Sequence, residues 1–207
     1  KASTESHESV GDRVNDALRV DASQLRCRVI GEGGNLGLTQ LGRIEFSHRG
    51  GLCHTDAIDN SAGVDTSDHE VNIKILLSAA LEAHEIDTDE RNTLLEAMTE
   101  EVALLVLRNN YAQTQALALA VDRAPSLIHH HSRAMRQLER SYGLDRELEH
   151  LPGDEEIAER ISRGQGLTRP ELAVLLAHSK ISTYQILLES DVPEDPFLGE
   201  DLQRYFP

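Results

Sequence analysis

Apolar residues follow two different periods along this chain, and the change lies near residue 80. Before that point, two short runs at residues 25–30 and 52–58 each end at a turn or loop of small and polar residues. Short apolar runs that end at such turns are typical of strands. The segment between them, residues 39–47, fits helical spacing or alternation equally well, although paired glycines at 50 and 51 would suit a helix end.

After residue 80 glycine falls to 5 of 127 residues, and apolar side chains recur at helical spacing. We predict a long helix from about Thr88 that extends as far as Val121 before Pro125 ends it. The other helices that we predict lie at residues 10–18, 68–77, 126–142, 152–163, from 168 onward, and 199–205. The one from 168 onward begins with the capping-box sequence Thr168-Arg169-Pro170-Glu171.

These elements predict an α/β fold: a partial, Rossmann-like parallel sheet followed by a mainly α-helical region. A complete dinucleotide-binding fold has about six strands and a third glycine in its turn, whereas only two strands are predicted here. We therefore expect residues 1–80 to be the C-terminal portion of a Rossmann-like domain and residues 81–207 to be a helical domain.

Two motifs carry a family resemblance. Glu32-Gly33-Gly34-Asn35 follows the first apolar run, and Asn60 to Glu70, with Val64 and Ser67 inside it, follows the second. In this order the motifs resemble those of glutamate dehydrogenases, and more closely the large NAD-specific bacterial type. The resemblance covers residues 10–80 specifically and the helical remainder loosely. Residues 36–39 and 61–62 depart from the family's usual pattern by losing a proline and a glycine.

The resemblance implies an enzyme that oxidatively deaminates L-glutamate to 2-oxoglutarate and ammonia by hydride transfer to NAD. It implies that cofactor-binding residues are Gly33, Gly34, Asn35 and Asn60, and that substrate-binding residues are Val64 and Ser67. The family's acid–base residues match nothing here, so no catalytic residue is assigned. The chain also begins at Lys1 without Met, which suggests an excised piece or a processed natural terminus. The resemblance implies a homo-oligomeric parent, and the chain alone is expected to be inactive because those acid–base residues are missing from it.

Each motif also has a structural interpretation. Asn35 and its neighbouring glycines are good turn residues in any protein. Ser67-Asp68-His69-Glu70 is itself a capping box that would start a helix at this point. A serine at a helix N-terminus could cap the helix and bind a carboxylate as well.

Charge and composition argue against two classes of binding partner, nucleic acids and membranes. The net charge of −16 argues against binding to a phosphate backbone, and no run approaches a membrane span or a signal segment. A cytoplasmic protein without nucleic-acid or membrane partners is expected.

Cys27 and Cys53 are interpreted as buried reduced thiols. His129-His130-His131 predicts no metal site, because adjacent helical side chains point about 100° apart.

A second hypothesis belongs to a different class. Residues 81–207 carry 24 acidic against 12 basic residues and no chemical motif, which is typical of a helical interaction or regulatory module. Binding of NAD and glutamate would distinguish the two.

Overall fold

The structure, a computed structural model, describes all 207 residues and consists of helices joined by loops. The α-helices, numbered in chain order, are α1 His7–Val10, α2 Gln40–His48, α3 Asp56–Asp59, α4 Ser61–Glu82, α5 Thr88–Ala97, α6 Thr99–Tyr142, α7 Asp154–Ser162, α8 Arg169–Leu188 and α9 Glu200–Tyr205. Short 3-10 turns lie at Arg13–Asn15, Ala22–Gln24 and Val192–Glu194.

The predicted parallel sheet is wrong, and the chain is all-α rather than α/β. The backbones of the two apolar runs pair at one isolated parallel bridge, between Val29 and Leu52. The Ile30 amide donates to the Leu52 carbonyl, and the Leu52 amide donates to the Arg28 carbonyl, each at 2.9 Å. The direction of pairing is parallel, but neither run becomes a strand.

Two observations explain why no sheet forms. A parallel sheet is stable when both faces are buried and several strands pair, whereas Val29 is 64% exposed and Leu52 is 47% exposed. The second run also changes direction early, because the Thr55 carbonyl accepts the Ile58 and Asp59 amides and starts α3. The Rossmann-like portion expected over residues 1–80 is therefore absent.

Several helices that the sequence predicts are confirmed. The ambiguous segment forms α2, whose start is capped by the Thr39 hydroxyl accepting the Gly42 amide, and Gly50 follows its end at φ +85°. Helix α7 ends before Gly164, at φ +66°. At the start of α8 the Glu171 carboxylate accepts the Thr168 amide at 2.6 Å, as the capping box predicts.

Other helices differ from the sequence prediction. No α-helix spans residues 10–18: α1 ends at Val10, only a 3-10 turn follows at Arg13–Asn15, and Val14 is 90% exposed. The predicted long helix is interrupted at Met98, and Pro125 does not end its second part. Helix α6 continues through this proline because one face remains packed on both sides of it. The buried residues of that face are Leu117, Ala124, Ile128, Met135 and Leu138.

The chain divides into two compact units, each built from two stretches of sequence. The first comprises residues 1–59 and 114–184. Its main core joins α6 to Ile157 of α7 and Leu172 of α8, and a smaller core joins Ala22, Phe46 and Cys53. Cys53 is buried as predicted, but Cys27 is exposed.

The second unit comprises residues 60–113 and 185–207. In it α4 presents three buried side chains, His69, Ile73 and Leu77, at spacings of four residues. The ring of Tyr205 in α9 stacks on His69 with 4.4 Å between ring centroids. The helix predicted at residues 68–77 is therefore present, but it is longer and has one buried side rather than being buried all round. The domain division expected at residue 80 stays a prediction.

Candidate functional site

The Gly-rich turn at residues 31–38 carries three of the predicted cofactor residues, Gly33, Gly34 and Asn35, and all three are exposed. A Cβ atom added to Gly33 or Gly34 would meet no other atom within 4 Å, and neither has a positive φ. The chain's own packing therefore does not require glycine here. Glycine at such positions leaves open backbone that a ligand can approach closely.

Three carboxylates fix the path of this turn. Asp59 accepts the Glu32 amide at 3.0 Å, and Asp56 accepts the Leu36 amide at 2.8 Å. The Glu32 side chain then accepts the Leu38 amide at 3.1 Å. Because Leu36 has a positive φ of 61°, which is strained for a leucine, the bond from Asp56 supports the turn where strain is greatest.

The Glu32 carboxylate is itself held by a buried ion pair. Arg43 of α2 donates to it twice, from Nε at 2.6 Å and from Nη2 at 2.9 Å, and a third contact joins Arg43 to Asp56 at 3.3 Å. Burial disfavours the charge on Arg43, but the bonds to Glu32 outweigh it and raise the pKa of the guanidinium above its usual value. The guanidinium is therefore charged.

His54 extends this network to the start of α8. Its Nδ1 lies 2.9 Å from Asp59 Oδ1, and its Nε2 lies 3.3 Å from Nη1 of Arg169. A guanidinium can only donate, so Nε2 accepts and the proton of the neutral ring lies on Nδ1, where it bonds Asp59. Sequence reasoning missed this residue, and the only local signal was a polar residue at the end of the second apolar run.

The remaining predicted residues lie at the start of α4. Asn60 precedes this helix and makes no capping bond with its side chain. Val64 is 67% exposed, and Ser67 is exposed one turn further along. Since α4 begins at Ser61, Ser67 lies inside the helix, so the prediction that Ser67 caps it is wrong.

The start of α4 is fixed by amide side chains of α6. Ser61 donates to Asn110 at 2.8 Å and accepts from Gln113 at 3.1 Å. Asn109 donates to Asp65 at 3.0 Å. These bonds hold the side of α4 that carries Ser61 and Asp65, while Val64 and Ser67 stay exposed.

The structure thus brings the predicted residues together in two groups. Gly33, Gly34 and Asn35 share one turn of the first unit, and Asn60, Val64 and Ser67 share the start of one helix in the second unit. No cluster of three or more His, Cys, Asp or Glu side chains is placed to hold a metal ion. No helix combines the length and apolar character needed to cross a bilayer.

Comparisons with known proteins agree with the two motifs. Residues 1–120 match the family model described as bacterial NAD-glutamate dehydrogenase, catalytic domain. Residues 164–207 match the one described as glutamate dehydrogenase, C-terminal. The first match contains the Gly-rich turn and the start of α4, and the second contains Arg169.

Three curated relatives share the name NAD-specific glutamate dehydrogenase. The chain is 56% identical to the NAD-specific glutamate dehydrogenase of Pseudomonas aeruginosa, 50% to that of Mycobacterium tuberculosis and 49% to that of Halomonas elongata. Each alignment includes all of this chain but only 13% of the relative. The family resemblance seen in the two motifs is confirmed: the chain belongs to the bacterial NAD-glutamate dehydrogenase family.

Proposed function

We propose that this chain is part of an NAD-dependent glutamate dehydrogenase, which oxidatively deaminates L-glutamate to 2-oxoglutarate and ammonia. The family match supports this assignment. The structural observation that carries it is the Gly-rich turn, which is held rigidly by carboxylates while Gly33 and Gly34 stay open to a ligand. A turn that is fixed without a ligand suits binding, because little conformational freedom is lost when the ligand arrives.

The turn is assigned to the nicotinamide end of NAD. The charged groups that contact it directly are the carboxylates of Glu32, Asp56 and Asp59 and the guanidinium of Arg43. This excess of negative charge disfavours the pyrophosphate and favours the nicotinamide ring, which is cationic in the oxidised cofactor. The Asn35 side chain supplies an amide that can pair with the carboxamide of the ring, and Asn60 is assigned to the cofactor as well.

The start of α4 is assigned to the substrate. Val64 and Ser67 are three residues apart, so they lie on one face of the helix, and both are exposed. An aliphatic side chain beside a hydroxyl fits a glutamate molecule, whose methylene groups end in a carboxylate. We propose that Ser67 donates to that distal carboxylate and that Val64 contacts the methylene groups.

In this function the chain orients the reactants. When bound, NAD would supply the acceptor for the hydride that leaves the glutamate Cα. Asn35 would orient the cofactor and Ser67 would orient the substrate, each by hydrogen bonds to the molecule that it binds, which is a contribution of geometry. We propose that acid–base groups lie in parts of the parent beyond these 207 residues, and that the parent is a cytoplasmic homo-oligomer. The chain alone should then produce no NADH.

A pair of substitutions in the complete parent enzyme tests this function. Asn35→Ala should raise the KM for NAD and leave the KM for glutamate nearly unchanged, whereas Ser67→Ala should do the reverse. If the chain were instead a helical regulatory module, both constants would stay unchanged in both variants. NADH formation by the isolated chain, in a preparation free of host enzyme, would contradict the assignment of acid–base groups elsewhere.

A further inference from the structure

A chain of hydrogen bonds joins the start of α8 to the Gly-rich turn. Arg169 donates to Nε2 of His54 at 3.3 Å, and Nδ1 of His54 donates to Asp59 at 2.9 Å. The second oxygen of Asp59 accepts the Glu32 amide at 3.0 Å. All of these groups lie in the first compact unit.

His54 occupies the central position of this chain. Its side chain is 17% exposed and that of Asp59 is 14% exposed, so water competes weakly for either bond. One ring nitrogen must accept and the other must donate for both bonds to exist, and only one neutral tautomer of histidine does this. The same carboxylate that His54 orients fixes the first amide of the turn.

We propose that His54 is a positioning residue for cofactor binding, through which Arg169 of α8 holds the Gly-rich turn in its NAD-binding conformation. The proposal rests on the function proposed above, because it assumes that the turn binds NAD. It assigns a role to residues that neither motif contains. It also links the stretch that matches the catalytic-domain family to the stretch that matches the C-terminal family.

Two substitutions separate the two bonds of the ring. The side-chain amide of His54→Asn can replace Nδ1 as the donor to Asp59 but cannot reach Arg169. The longer His54→Gln places its amide oxygen near the position of Nε2, so that it can accept from Arg169, but it loses the donor to Asp59. His54→Ala removes both bonds, and Arg169→Ala removes only the bond from Arg169 to Nε2.

The first measurement is hydrogen exchange of peptides that contain residues 31–38, in the complete parent enzyme. His54→Ala and Arg169→Ala should both speed the exchange of these amides, and His54→Asn should exchange more slowly than His54→Ala. Arg163→Ala is the matched control, because Arg163 is exposed directly after α7 and its side chain pairs with Glu159 of that helix. Exchange in the turn that stays at the wild-type rate in His54→Ala and Arg169→Ala would overturn the proposal.

The second measurement is steady-state kinetics of the same variants. His54→Ala should raise the KM for NAD about tenfold, as expected for the loss of one hydrogen bond to a charged group, with the KM for glutamate unchanged. His54→Asn should recover part of this loss, which a merely structural role would not predict. Faster exchange in the turn with an unchanged KM for NAD would overturn the positioning role. If instead the wild-type parent showed no dehydrogenase activity, the proposed function would fail, while hydrogen exchange would still decide whether His54 couples Arg169 to the turn.

Discussion

Glu32 and Arg43 form a two-point ion pair beneath the Gly-rich turn, with side chains only 3% and 6% exposed. Glu32 belongs to the turn and Arg43 to α2, so this contact fastens the proposed cofactor-binding segment to the nearest helix. A buried pair of this kind contributes little compared with a well-packed apolar pair, but removing one partner leaves an unpaired charge in the interior. The pair should therefore be sensitive to single substitutions.

Arg43→Ala should destabilise the first unit by about 3–5 kcal/mol, because the Glu32 carboxylate would remain buried without its partner. Urea unfolding of the 207-residue chain, followed by circular dichroism, measures this. Lys74→Ala is the control, since it breaks an exposed ion pair with Glu70 and should leave the unfolding midpoint unchanged. Equal midpoints for the two variants would show that the buried pair does not support the fold.

Gly166 makes a close contact with α6 that no larger residue can make. A Cβ atom at this position would lie 2.3 Å from the carbonyl carbon of Ala124 and 2.6 Å from the nitrogen of Pro125. Gly166→Ala should cost about 1–3 kcal/mol or more, because backbone atoms cannot move aside as a side chain can. Gly31→Ala, where nothing lies within 4 Å, should be nearly neutral in the same unfolding experiment. A neutral Gly166→Ala would mean that α6 and this loop do not touch in solution.

The features that sequence predicted well are local. Gly164 after α7 and the Thr168–Glu171 capping box each act within a few residues, so a short pattern carries the information. The sequence therefore placed the end of α7 and the start of α8 near their observed positions, whereas residues 39–47, which form α2, fitted a helix or a strand. The same reasoning identified the family, since both motifs are short and contiguous.

The features that sequence missed depend on contacts between distant residues. The start of α4 contains Gly63 and resembles a loop, but bonds from Asn109 and Asn110 of α6 stabilise it as a helix. Pro125 is a strong helix breaker, yet the buried face of α6 on both sides outweighs a cost of roughly 3 kcal/mol. His54 and Arg169 are 115 positions apart, so no local pattern could predict their contact.

His131 should make stability depend on pH. Burial lowers the pKa of its imidazole below the ordinary value of 6.5, the neighbouring His130 adds to this, and its Nδ1 is buried without a hydrogen bond. Below pH 6.5 the unfolded chain then binds a proton that the folded chain does not, so the free energy of unfolding falls as pH decreases from that value. The stabilising contribution of the neutral ring is complete above this pH.

The difference between unfolding midpoints at pH 8 and pH 5 measures the effect. His131→Gln should make this difference smaller than in the wild-type chain, because the side-chain amide of glutamine does not titrate. His129→Gln, at an exposed position on the same helix, should keep the wild-type pH dependence. An identical pH dependence in both variants would remove His131 as its source.

Substitutions of Ser67 can distinguish a contact with the substrate from a structural role in α4. Because α4 begins six residues earlier, at Ser61, Ser67→Ala removes no helix cap and should leave the stability of the chain nearly unchanged. In the parent enzyme it should raise the KM for glutamate and 2-oxoglutarate roughly tenfold or more, if the lost charged hydrogen bond is worth ~1.5–3 kcal/mol. The KM for NAD should change little.

Ser67→Asp provides the stronger test, because it places a negative charge against the distal carboxylate of the substrate. Its KM for glutamate should exceed that of Ser67→Ala, since repulsion is added to the lost bond. Ser78→Ala and Ser78→Asp are matched controls, because Ser78 is exposed on the same helix three turns away. They account for any effect of helix propensity or added charge on α4 itself. Glutamate kinetics in Ser67→Asp that equal those of Ser78→Asp would show that this face of α4 does not meet the substrate carboxylate.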